Sequence, residues 1–127
     1  MPLRQLWREM RAIEIGGVRI PTATAFMRFL FPDLYGMVDS RVAPVTNNLG
    51  VTQFSLSKNK SKKNYVYDIP KNIRQYTEAY VPFLRKEAQY LNDGGARFRD
   101  VDPFGVTVES IFRPCDVAMA LWEEGGP

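Results

Sequence analysis

The sequence predicts a single, mostly α-helical domain. Its 127 residues, 45% hydrophobic and 13% aromatic, suffice for one core but not for two. Apolar residues recur at helical spacing in the stretches 3–13, about 21–31, about 69–92 and 113–124. No internal repeat is visible, and no linker is long enough to separate domains.

The elements follow in order. Leu3, Leu6, Trp7, Met10 and Ile13 share one face of a first helix, with Arg4, Arg8 and Arg11 on the other. Gly16 and Gly17 stop it, because glycine tolerates the backbone of a helix end. Pro21 suits the first turn of the next helix, about 21–31, which carries Ala23, Ala25, Phe26, Phe29 and Leu30. Its small residues allow close packing. FPDLYG is a loop, and Asp39 starts another helix that holds Pro44 in its early turns. A loop follows near Asn47, Asn48 and Gly50, and the run SKNKSKKN (57–64) is a polar basic loop.

The longest helix, about 69–92, has Ile73, Tyr76, Tyr80, Phe83, Leu84 and Leu91 on its apolar face, which makes its tyrosines core residues. Pro82 lies in its middle, where a kink or break is expected. Asp93-Gly94-Gly95 ends it. Residues 96–112 are irregular, with a short extended piece at Val106-Thr107-Val108. Pro114 opens the last helix, with Asp116 near its start.

Composition excludes several chemistries. With no histidine, His-based triads and HExxH metal sites are absent. The single cysteine, Cys115, rules out an internal disulfide, a zinc cluster and a cysteine-ligated iron–sulfur cluster. It reads as a small core residue, since nothing near it in sequence would activate a thiol. No cofactor and no metal are expected. A net charge of +3 and a pI of about 9.1 permit a polyanionic partner without demanding one. The charged N-terminus is unlike a signal peptide, and no apolar run approaches the ~20 residues of a membrane span. A cytoplasmic location without membrane contact is the expectation. The abrupt opening suits the back portion of a larger architecture, or self-association through helix 3–13.

The richest stretch is Ile13 to Val42, IEIGGVRIPTATAFMRFLFPDLYGMVDSRV. Two helices joined by a tight glycine turn aim backbone amides and a helix dipole at one point, which makes an anion site. A DNA phosphate fits such a site without sequence preference. Taken alone, Gly-Gly between helices is an ordinary turn. The stretch also resembles the core of the helix-hairpin-helix DNA glycosylases, the superfamily of endonuclease III and the adenine glycosylases, over about residues 3–45. Gly17-Val18 match the hairpin's Gly-Val, and Thr22-Ala23 its Thr-Ala. Val38-Asp39-Ser40-Arg41-Val42 match the closing Val-Asp-Thr-His-Val, with ungapped spacing.

The resemblance implies an orthogonal helical domain containing a helix-hairpin-helix motif at about 3–31. It also implies DNA as partner and Asp39 as the catalytic carboxylate. Such a carboxylate stabilises an oxocarbenium-like sugar as the N-glycosidic bond of a flipped nucleotide breaks, and helps position water. Arg19 stands where the hairpin has its second glycine, and could contact phosphate. Pro21 stands where bifunctional members have lysine, so Schiff-base chemistry is excluded there and any activity is monofunctional. The helices that precede the family's hairpin have no room before Met1.

The candidate site is therefore Asp39 for catalysis, with Gly16, Gly17, Val18, Arg19, Thr22, Arg41, Lys60, Lys62 and Lys63 for DNA, and Arg28 as a further phosphate contact. Asp39 equally suits a helix N-cap, a role compatible with chemistry. Asp93, Asp100, Asp102 and Asp116 sit where capping is the ordinary explanation. Three readings stay open: a monofunctional glycosylase-like enzyme, a non-catalytic DNA-binding relative, and a helical interaction module without nucleic acid.

Overall fold

The computed structural model describes residues 20–58, 64–66 and 69–125. The expected helix 3–13 and hairpin glycines, and the centre of the basic loop, lie outside them. Among the described residues the fold is mostly helical. Its helices are α1 (Ile20–Leu30), α2 (Val42–Asn48), α3 (Pro70–Gln75), α4 (Val81–Asp93) and α5 (Pro114–Glu124). Two antiparallel hairpins complete it: β1 (Leu56–Lys58) with β2 (Asn64–Val66), and β3 (Phe98–Val101) with β4 (Thr107–Ser110). No described helix is long and apolar enough to cross a membrane.

Two expectations are corrected here. The basic run 57–64 is not a loop throughout, because its ends pair as strands, with Lys58 opposite Asn64. Lys, Ser and Asn carry little strand signal, so the pairing is invisible in composition. Residues 96–112 are not merely irregular. Their extended piece is β4, and its partner β3 was hidden in FRDV, which shows no clean alternation. The turn between them is ordered by Asp102, whose carboxylate accepts from the amides of Phe104 and Val106 at 2.9 Å each. Gly105 supplies the positive φ of 80° that this turn requires.

Pro82 does not break the long helix. Five residues of π-helix, Tyr76–Tyr80, join α3 to α4 immediately before it, and the Val81 amide reaches back to Tyr76. The wider turn moves the carbonyls that a proline ring would meet in an α-helix, so the chain continues through Pro82 without a gap. Tyr76, Tyr80 and Leu84 are fully buried, and Ile73, Phe83 and Leu91 pack at the margin.

Helix α1 turns Ile20, Ala23, Thr24 and Met27 to the core. Phe29 is 84% exposed, and Phe26 and Leu30 are exposed beside it.

The segment between α1 and α2 is a core element rather than a surface loop. Tyr35, Gly36 and Val38 are buried. The Tyr76 hydroxyl donates to the Gly36 carbonyl at 2.7 Å, and the Tyr80 hydroxyl donates to the Met37 carbonyl. Gly36 has no room for a side chain: a Cβ would lie 2.6 Å from both Ala118 Cβ and Leu84 Cδ1.

Extended segments elsewhere are held the same way. Asn47 accepts from the Phe54 amide at 2.9 Å and donates to its carbonyl at 3.0 Å. Asn72 does so to Ser55, and Asn92 to Phe112.

Burial pushes both core phenols up, reinforced at Tyr76 by Tyr80 and Tyr35 and at Tyr80 by the negative charge of Asp39. An unfolded tyrosine ionises near pH 10. The folded chain therefore keeps protons that the unfolded chain releases. This contribution is intact below pH 10 and is lost as pH rises beyond it. Two of the six tyrosines should thus stay silent in a 295 nm absorbance titration until the far-UV circular dichroism collapses, both changes falling above pH 10.

Candidate functional site

The sequence places the site on the loop that enters α2, and the local structure shows how that loop is fixed. Thr24, fully buried on α1, accepts a hydrogen bond from the Val38 amide at 3.0 Å. Its own proton is shared between the carbonyls of Val38 (3.3 Å) and Pro21 (3.2 Å). One hydroxyl thus ties the residue before Asp39 to the helix of the proposed hairpin motif.

Asp39 itself is half-buried. Its Oδ1 accepts from the amides of Arg41 (2.9 Å) and Val42 (3.0 Å), and its carbonyl accepts from Ala43. It is the side chain that caps the start of α2, where backbone amides have no helical partner. Its second oxygen, Oδ2, accepts no hydrogen bond from any described residue. A carboxylate fixed through one oxygen, with the other unbonded among the described residues, can both cap and act.

Arg41 does not extend from the surface. Its Cζ sits 3.7 Å above the Trp122 ring, and its Nε is buried without a hydrogen-bond partner. The aromatic face compensates the charge, so the contact joins the α2 entry to the end of α5. Gly125 completes this joint, since a Cβ there would come within 2.8 Å of Arg41 Cγ. The backbone of Thr22 belongs to α1. Gly16, Gly17, Val18, Arg19, Lys60, Lys62 and Lys63 lie outside the described residues. The structure therefore brings Asp39 and Arg41 together at one helix start, two residues apart and turned to different tasks.

Of the other acids, Asp102 orders a turn and Asp116 caps a helix, whereas Asp100, expected at a loop or helix start, lies within β3, and Asp93 is the last residue of α4. Asp116 is buried at the start of α5, where it accepts from the Arg113 amide at 2.9 Å and pairs with the Arg113 side chain at 3.2 Å. This hydrogen bond holds the Arg113 guanidinium above its ordinary pKa. Burial, and then Asp116, push the neighbouring Cys115 thiol up. A thiol held protonated is a poor nucleophile, in keeping with a core role. Among the described residues no group of three or more Cys, Asp and Glu is placed to hold a metal ion.

Sequence reasoning missed a cleft of about 360 Å³ alongside α5, walled by Phe98, Phe112, Met119 and Ala120 and reached by Arg28. Arg28 appeared in the sequence only as one more cation. What could have drawn notice to the cleft is the i, i+3, i+4, i+7 row Asp116, Met119, Ala120 and Glu123, which mixes charge with small apolar residues on one helix face.

Asp39→Ala removes the acceptor for two amides and should cost about 1 kcal/mol of stability. Asp39→Asn keeps an acceptor in place and should cost only a few tenths. Urea unfolding of the three proteins reads the difference directly. No protein-family model matches the chain, and neither a curated protein nor a solved structure matches it.

Proposed function

We propose that this chain is a DNA-binding protein of the monofunctional base-excision glycosylase type, with Asp39 as the carboxylate that assists hydrolysis of an N-glycosidic bond. The observation that carries the reading is the state of Asp39. Oδ1 is fixed by two amides, Oδ2 has no partner among the described residues, and the preceding residue is tied to α1 through Thr24. The carboxylate thus has one orientation and, among the described residues, one oxygen not taken by a hydrogen bond. Those are the requirements for stabilising a developing positive sugar without reorganisation during the reaction. Pro21 leaves no amine for a Schiff base at that position, so in this reading water is the nucleophile. The expected phosphate contacts are the hairpin amides of Gly16–Arg19 and the cations of the 57–64 run.

A second reading has its own support. The two capping hydrogen bonds explain Asp39 without any chemistry, which suits a relative that binds DNA and no longer cuts it. The same substitution separates the two, because Asp39→Asn preserves the cap and removes the charge.

The test is fluorescence anisotropy with duplexes that carry or lack an abasic-site analogue, across a salt series, followed by cleavage assays on damaged bases. Binding should favour the abasic duplex and fall steeply with salt. Wild type should release base from at least one damaged duplex, and Asp39→Asn should lose that activity by two orders of magnitude or more while staying folded, a loss of about 2.7 kcal/mol or more in transition-state stabilisation. Equal inactivity of both proteins, with binding retained, would leave the non-catalytic reading. No binding at low salt would overturn both.

A further inference from the structure

The cleft beside α5 is separate from Asp39, which does not line it. Its two aromatic walls, Phe98 and Phe112, meet edge to face at 5.9 Å, and Met119 and Ala120 extend the apolar surface. Such a surface suits a flat ligand.

The charged groups decide what kind. Arg113 and Asp116 are committed to each other. Arg28, half-buried in the last turn of α1, makes no hydrogen bond or ion pair with any described residue. Glu123 makes none either, and Asp100 uses one oxygen on the Val101 amide and leaves the other open. Among the described residues, one cleft thus holds guanidinium donors and carboxylate acceptors that are not paired with one another. Three carboxylates line it against two guanidiniums, so the part of a ligand seated there is not a phosphate. A planar ligand with acceptors on one edge and donors on another can use both sets of groups and the aromatic walls together.

We propose that this cleft binds a guanine ring. The O6 and N7 acceptors of guanine match the fork of Arg28, and its N1–H and N2–H₂ donors match a carboxylate of Glu123 or Asp100. The ring would lie against Phe98 and Phe112. Adenine offers a donor where guanine has O6, so it loses the Arg28 contact. The inference rests on the cleft alone and holds whether or not Asp39 performs chemistry. The guanine can belong to a free nucleotide or to a base extruded from DNA.

The test is titration of the full chain with deoxyguanosine monophosphate and deoxyadenosine monophosphate by isothermal calorimetry, for wild type, Arg28→Gln and Glu123→Gln. Neither side chain has a partner among the described residues, so both variants should melt like wild type. The guanine nucleotide should bind saturably, the adenine nucleotide about tenfold more weakly or worse, and each variant should lose about tenfold in guanine affinity. No saturable binding at millimolar nucleotide, equal affinity for the two bases, or undiminished binding by Arg28→Gln would each overturn the proposal. Because this titration involves neither DNA nor Asp39, its failure is distinct from failure of the glycosylase reading. Given binding, competition with a duplex that holds an unpaired guanine identifies the source. Displacement of the duplex by the nucleotide points to an extruded base, and independent binding points to a free nucleotide.

Discussion

Side chains of the helices hydrogen-bond the backbone of the segments between them, and the rest of this fold depends on that. Sheets normally satisfy extended backbone, but here the strands are only three or four residues long and pair in twos. Thr24 takes Val38, Tyr76 takes Gly36, Tyr80 takes Met37, Asn47 takes Phe54, Asn72 takes Ser55 and Asn92 takes Phe112. The three asparagines use both ends of the amide on one residue, which imitates a neighbouring strand. Each such bond adds about 1 kcal/mol net, yet leaving the buried backbone group unpaired would cost about 1–3 kcal/mol. The asymmetry is what allows a loop to run through a core, where unsatisfied amides are otherwise excluded.

This dependence explains which parts of the fold the sequence could reveal. The long helix, α1 and α5 were legible because their apolar spacing and their prolines and glycines are local signals. Asp116 as a cap and Cys115 as core were legible for the same reason. The π-helical turn was not, because only the position of Pro82 hinted at a disturbance, and a kink and a wider turn both answer it. Of the hairpins only the extended piece of β4 was legible; the pairing partners were not, because Leu56–Lys58 and Phe98–Val101 show no clean strand alternation. The clamps were hidden most completely: an asparagine at a helix end looks like a terminator, and only the fold shows that Asn47 and Asn92 face a distant backbone.

The candidate site shows the same division. Asp39 stands out in the sequence by its spacing to Thr22-Ala23, and the capping role that the structure shows was plain from Ser-Arg-Val after it. That Arg41 would stack on Trp122, across 81 positions of chain, was not readable from local pattern. Nor was the cleft, whose walls come from α1, β3, the Phe112-Arg113 junction and α5. The loop carrying Asp39 is braced by Thr24 on one side and by Tyr76 and Tyr80 on the other, so its carboxylate is presented by a rigid support, as a preorganised site needs.

The most direct test of this account is native-state hydrogen exchange at the amides of Val38 and Phe54, each of which donates to a helix side chain rather than to backbone. If the clamps hold these segments as parts of the core, both amides exchange only through global unfolding, with the same free energy as the amide of buried Leu84. Exchange of Val38 or Phe54 through a local opening several kcal/mol cheaper than global unfolding would contradict it, and would return the segment before Asp39 to the status of an ordinary loop.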